Sequence, residues 1–315
     1  RNHDRSKWLA HGHHSEVFQV VSLLKRTILK IVPIMRDFTA VELEALTTGI
    51  ESHLRLSTLR YGMQYRATNF IEIQRIGCVY DRFPEWLLKN DKTSDSCESL
   101  VESLASDMTA LPCSVFLFLS LLGTNRCCLT YRFIVYELCF AGKPLSRITL
   151  RSAVQGRSLV QQAACCVAVA ERALGFRQLT GDGADKLLVT PTDSAHLEYR
   201  FPGRRSLSVE TAGLKAHIAG SLSFAVSSGD VGGTLQPLQH YSQGDISNGR
   251  PSPRFIKNVK WLVAVLDCVM LKLRSEVPET RASAEKAVFD VLQSWQDQLR
   301  RCSSVDEFIT ISRLM

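Results

Sequence analysis

The chain alternates between two kinds of hydrophobic pattern. Residues 16 to 34 hold two runs rich in β-branched and aromatic side chains. These are Glu16-Val17-Phe18-Gln19-Val20-Val21 and Thr27-Ile28-Leu29-Lys30-Ile31-Val32. Such runs with a short basic stretch between them predict two strands joined by a turn. From 38 to 59 the apolar positions Val41, Leu43, Leu46, Ile50, Leu54 and Leu56 recur at near-helical spacing, which predicts an amphipathic helix. Asn69-Phe70-Ile71-Glu72-Ile73 and Arg132-Phe133-Ile134-Val135-Tyr136 read as further strands. Between them, 90–107 is rich in Ser, Asp and Glu and reads as a mobile surface insert, and Leu111 to Leu122 reads as a buried helix.

After Gly142 the period becomes helical. A long apolar helix is expected over 156–174, then short strands at Leu187-Leu188-Val189, His196-Leu197-Glu198-Tyr199 and Leu214-Lys215-Ala216-His217-Ile218. The stretch 226–253 is dense in Gly, Ser, Pro and Asn and reads as a long loop. Helical patterns return at 255–275 and 280–300, and a last short helix is expected over 305–311. No fixed-period repeat is visible. Strands and one helix, a hinge near Ala141-Gly142, and a larger helical part describe a small lobe and a large lobe.

Composition narrows the class. The 315 residues are 45 % hydrophobic and 22 % charged, which excludes wholesale disorder. No run reaches the eighteen or so apolar residues of a membrane span, so no membrane partner is expected. Lys and Arg total 38 against 31 Asp and Glu, a net charge of +7. The basic residues are scattered, so they read as a solvated surface with no direct nucleic-acid signature. Ten cysteines include the adjacent pairs Cys127-Cys128 and Cys165-Cys166 but no Cys-x-x-Cys. A reducing, intracellular compartment without structural zinc is the expectation, nuclear or cytoplasmic alike. The sequence opens at Arg1 rather than Met and reads as trimmed.

Four segments carry a family resemblance. They are Glu16-Val17-Phe18-Gln19 with Leu29-Lys30-Ile31; Cys78-Val79 with Phe83-Pro84 and Leu87-Leu88-Lys89; Phe133-Ile134-Val135-Tyr136-Glu137 with Phe140-Ala141-Gly142; and Ala168-Val169-Ala170-Glu171 with Leu174 and Phe176. In this order and spacing the chain resembles the haspin family, a divergent branch of the eukaryotic protein kinases. The resemblance implies an α+β, bilobal kinase-like fold with a β-rich small lobe and a mainly helical large lobe. Its N-lobe would span 7–141, with the insert near 90–107, and its C-lobe 142–315.

The same alignment locates the chemistry. A kinase closes a Gly-rich turn over the nucleotide phosphates with backbone N–H groups. Here the aligned residues are Ala10-His11-Gly12-His13-His14-Ser15, and only Gly12 remains of the glycines. Lys30 occupies the place of the strand lysine that neutralises phosphates. Its helix glutamate partner falls on Gly49 in the simplest register, with Glu42, Glu44 and Glu51 as substitutes if the helix shifts. The nucleotide pocket would be lined by Leu138 at the gatekeeper position and Cys139-Phe140-Ala141 at the hinge. Thr180 stands where the family has its catalytic aspartate, and a hydroxyl does not accept the substrate proton near neutral pH. Asp182, two positions on, is a candidate displaced base or a polar loop residue. Asp185 replaces the metal-binding asparagine and still offers oxygen to a hard cation. Gly220 occupies the slot of the metal-anchoring aspartate, with no side chain to bind Mg²⁺. Asp245 aligns with a structural aspartate of the large lobe. His11, His13 and His14 suit a transition metal in type, but lack a second ligand pair and read as loop histidines.

Loss of the base, the main metal ligand and the glycine loop together argues for a haspin-like pseudokinase acting as a binding or scaffold module. The alternative is a weak or unconventional serine/threonine protein kinase using Lys30, Asp182 and Asp185 with ATP and Mg²⁺. A further alternative is a structural subunit of a larger assembly. The family resemblance would imply a histone tail as partner and chromatin as the place. The matching segment, Ser227 to Pro253, is poor in acid, and a net positive charge fits a basic peptide badly.

Overall fold

The computed structural model describes residues 5–12, 15–22, 25–34, 40–81, 131–177, 183–203, 206–219, 255–276 and 282–312. They fall into two compact units. The first takes the described residues of Arg1–Ser57 and Ile71–Ala141, and the second those of Thr58–Phe70 and from Gly142 on.

The first unit is built on one antiparallel sheet. Its strands are β1 (Arg5–Gly12), β2 (Ser15–Val21), β3 (Arg26–Ile34), β4 (Ile73–Asp81) and β5 (Tyr131–Cys139). Their spatial order is β1-β2-β3-β5-β4, so the last two strands in sequence exchange places. Strand alternation sends every second side chain to one face. Ile28, Lys30 and Val32 therefore share a face, and Lys30 stands opposite Tyr136 in the ladder with β5. All four are buried, with Leu138 beside them, so the lysine sits in an apolar row. Helix α1 (Ala40–Thr58) lies between β3 and β4 in sequence and buries Leu46, His53 and Leu56. Its last turn carries Arg55, which favours the negative helix end and pairs with Glu51 at 2.5 Å.

Strand β1 was not separable from a loop by sequence, because Arg5 to Gly12 shows no clean alternation. It pairs with β2 up to Gly12 opposite Ser15. The strand expected over 69–73 begins instead at Ile73. Asn69 and Phe70 pack with the second unit, where Phe70 forms a bridge with Ile218. Apolar alternation cannot tell which unit a segment joins.

In the second unit Ser152 caps α2 (Ala153–Leu174) by accepting from the Gln155 N–H, and the helix ends at Gly175. The run from Ala163 to Ala170 is buried throughout, including Cys165 and Cys166. Burial pushes both thiols up, so they behave as small apolar groups. Helix α2 packs against α3 (Ile256–Glu276), α4 (Ala282–Leu299) and α5 (Val305–Ile311). Short strands β6 (Lys143–Pro144), β7 (Leu187–Pro191) and β10 (Leu214–Ile218) form a sheet of order β10-β7-β6. Strands β8 (His196–Tyr199) and β9 (Leu207–Glu210) pair separately. Gly142, the first residue of this unit after β5, has φ +87, and a Cβ there would lie 1.9 Å from the Val189 carbonyl oxygen. No other residue type fits that join.

A five-stranded sheet with a helix between its third and fourth strands, followed in the chain by a mainly helical unit, is the order of elements that the resemblance implies. Among the described residues no helix is long and apolar enough to cross a membrane. The insert near 90–107, the helix expected at 111–122 and the loop of 226–253 lie outside the described residues.

Candidate functional site

The candidate positions are taken unit by unit. In the first unit, Lys30 is 6 % exposed. Its Nζ lies 5.9 Å from the centre of the Tyr136 ring. Desolvation lowers its pKa to about 7. The helix side of the same cluster is His53, 2 % exposed on α1. One ring nitrogen, Nε2, lies 3.1 Å from the Ile71 carbonyl oxygen. Its Nδ1 has no hydrogen-bond partner among the described residues, and neither has the Tyr136 hydroxyl. Burial lowers the His53 pKa to about 4, opposed by the Ile71 bond and helped by the nearby Lys30 charge. Burial likewise raises Tyr136 to about 12. The imidazole and the phenol are thus held neutral near pH 7.

Of the glutamates considered for Lys30, Glu44 is exposed and Glu51 pairs with Arg55 on the solvent side. The Glu42 side chain lies outside the described residues. Gly49 lies on α1 one turn before His53. The helix therefore offers Lys30 an imidazole one turn beyond the glutamate slot. Sequence reasoning missed His53 and Tyr136. The signal for His53 was there: a histidine four residues past Gly49 on a buried face.

Gly12 closes the β1–β2 ladder opposite Ser15. His13 and His14 lie outside the described residues. Glu16, buried on β2, accepts from the Trp8 indole N–H at 2.9 Å. At the expected hinge, Leu138 and Ala141 are buried. The Cys139 N–H donates to the Glu72 carbonyl at 3.0 Å, and its sulfur accepts from Gln74 at 2.9 Å. That backbone donor is therefore committed within the unit. The Phe140 ring lies 5.7 Å from the Arg26 guanidinium.

In the second unit, Asp185 sits on a 3₁₀ turn, Ala184–Lys186. It is exposed, and its carboxylate accepts from the hydroxyl of Ser146, which lies on the neighbouring 3₁₀ turn Leu145–Arg147. Among the described residues no group of three or more His, Cys, Asp and Glu is gathered to hold a metal ion. Thr180, Asp182, Gly220 and Asp245 lie outside the described residues.

Glu171 anchors the entry to the candidate catalytic segment. It is 5 % exposed and accepts from Asn258 Nδ2 at 2.8 Å and from the N–H groups of Val305 and Asp306. Asn258 also donates to the Phe176 carbonyl at 2.8 Å. One carboxylate thus ties α2 to α3 and to the start of α5, just before residue 178. Burial raises its pKa to about 7 against the pull of these donors.

No family model and no curated protein matches the chain. Among solved structures the chain is similar to the crystal structure of Rad53 1-466 in complex with AMP-PNP. The TM-score is 0.38 and the identity 10 %, over 96 % of this chain and 60 % of that one.

Proposed function

We propose that the chain is a haspin-like pseudokinase, a kinase-like fold that works as a binding or scaffold module. The observation that carries this reading is the paired loss of carboxylates, with Thr180 in the catalytic aspartate slot and Gly220 in the metal-anchoring slot. Phosphoryl transfer depends on positioning and on charge neutralisation, and these two groups supply both.

Three features of the described residues support it. Burial lowers the Lys30 pKa to about 7, which weakens its positive charge at neutrality before any phosphate is bound. Among the described residues the helix presents Gly49 in the glutamate slot and a neutral His53 one turn on. Asp185, the remaining candidate for Mg²⁺, accepts a hydrogen bond from Ser146. Among the described residues it belongs to no group of three or more candidate ligands, and a single exposed carboxylate is a weak site for a cation that keeps its waters and prefers substrate phosphates.

A thermal shift with ATP, with and without Mg²⁺, on the wild type and Lys30→Ala, tests the reading together with a phosphotransfer assay. Ligand at a hundredfold excess over its Kd would add roughly 2.7 kcal/mol of stability. The expected result is no Mg²⁺-dependent shift and no phosphotransfer. Mg²⁺-dependent transfer lost in Lys30→Ala and in Asp185→Ala would overturn it in favour of an unconventional serine/threonine kinase.

A further inference from the structure

We propose that the second unit carries a docking site for an acidic segment of a partner protein, built from Arg66, Arg200, Tyr61 and Met63. The starting point is an isolated antiparallel bridge. Arg66 and Arg200 exchange two backbone hydrogen bonds, N–H to carbonyl, at 3.2 and 3.1 Å. Residues paired in this way face each other across about 5.5 Å, with their side chains on the same side. Two arginine side chains therefore leave the pair from the same face. Like charges directly opposite each other destabilise a strand pair, so this arrangement favours an anion between them.

Among the described residues one carboxylate is paired with these arginines. Arg200 reaches Glu198 at 3.8 Å, and that glutamate is largely exposed. The Nε of Arg66 is buried with no hydrogen-bond partner among the described residues. Arg60 is already engaged, donating to the carbonyls of Thr68 and Phe70. An incoming carboxylate would give the Arg66–Arg200 pair the bidentate geometry that guanidinium groups prefer.

The adjoining turn supplies an apolar contact. Tyr61 is 70 % and Met63 82 % exposed, the two most exposed large apolar side chains among the described residues. They are presented on a fixed turn. The Tyr61 N–H donates to the Thr58 carbonyl and the Ala67 N–H to the Leu59 carbonyl. A Cβ at Gly62 would lie 2.0 Å from the Tyr65 carbonyl oxygen, so the turn closes only around a glycine. A turn held in this way loses little freedom on binding. Methionine adapts to varied apolar partners, and tyrosine adds rigid area with a polar tip.

The occupant is a peptide segment in which acidic residues flank an apolar one. The acidic residues match the arginine pair, and the apolar residue covers Tyr61 and Met63. The net charge of +7 adds long-range attraction for such a segment. A nucleic acid would use the arginines but leaves the methionine without a role. The inference gives the binding-module reading a class of partner. It concerns the second unit alone and is measured without nucleotide.

The test is fluorescence anisotropy on the full chain. The probe is a labelled synthetic peptide with a leucine between flanking glutamates, and its control has glutamines in their place. The expected result is binding of the glutamate peptide, weakened about tenfold or more for the glutamine control and in Arg200→Gln. Met63→Ser should weaken binding about fivefold. Both positions are solvent-facing, and thermal melts of the variants check that the fold persists. No binding of the glutamate peptide at millimolar concentration overturns the proposal. Equal binding of the two peptides, or unchanged affinity in both variants, does the same. Tighter binding of a labelled single-stranded RNA that displaces the peptide would make the surface a nucleic-acid site and also overturn it. Phosphotransfer is read separately, so activity would defeat the pseudokinase reading while leaving this site standing.

Discussion

Two buried polar clusters, one in each unit, are built in opposite styles. In the second unit Asn69, Gln162 and Tyr199 are fully buried, and their polar atoms are all bonded. Asn69 donates to the Ala216 carbonyl at 2.7 Å and to Gln162, and accepts from the Tyr199 hydroxyl at 2.7 Å. Gln162 in turn accepts from the Ala216 N–H and donates to the Leu214 carbonyl, each at 2.8 Å. In the first unit Lys30, His53 and Tyr136 are equally buried, yet the imidazole Nδ1 and the phenol hydroxyl have no hydrogen-bond partner among the described residues. A satisfied network of neutral groups is rigid and indifferent to pH. A buried cluster that includes titratable groups makes stability depend on its charge state.

The largest expected effect breaks the satisfied network. Asn69→Ala leaves the Tyr199 hydroxyl and the Ala216 carbonyl buried without that partner. Urea denaturation should show a loss of about 3 kcal/mol, and an unchanged midpoint would show that the network contributes little. Next comes the opposite sign in the first unit. Lys30→Met keeps the volume and removes a desolvated amine. The folded pKa near 7 lies below the unfolded value of 10.5, so burial of Lys30 costs stability below pH 10.5. The variant should gain about 2 kcal/mol at neutral pH, and its stability should no longer rise with pH from 7 to 10.5.

A smaller effect separates the units by acid. His53 has a folded pKa near 4 against 6.5, so its contribution is lost as pH falls from 6.5 to 4. His53→Gln should flatten this limb, changing stability near pH 4 by between about 1 and 2 kcal/mol. Hydrogen exchange in α1 and β3 reads that change locally. Glu171 behaves inversely. Its folded pKa near 7 lies above 4.5, so stability falls as pH rises from 4.5 to 7. Glu171→Gln should flatten the slope in α2 and α5 by about 1 kcal/mol. A common slope in both units would remove the contrast.

Much of this fold was legible in the chain. The long helices and β2, β3 and β5 follow from apolar period, and Lys30 from its flanking residues. Other features depend on distances that no local pattern encodes. His53 lies twenty-three positions from Lys30, and only the packing of α1 on the sheet brings them together. Asn69 read as part of a strand because its neighbours Phe70 and Ile71 are apolar. Its place was decided by hydrogen bonds to Gln162 and Ala216, ninety-three and 147 residues away. Strand β9 was too short and polar to register as alternation. The Arg66–Arg200 pair was invisible for the same reason as His53.

The glycine at the join has a consequence in handedness. At Gly142 the L-side hydrogen points at the Val189 carbonyl, and the backbone sits at a φ that mirror-image residues prefer. Gly142→Ala should therefore cost about 2 kcal/mol or more in a chemical melt. A D-alanine placed there by ligation, with its methyl on the other side, should cost much less. Of the twenty coded residues, the passage out of β5 accepts the achiral one.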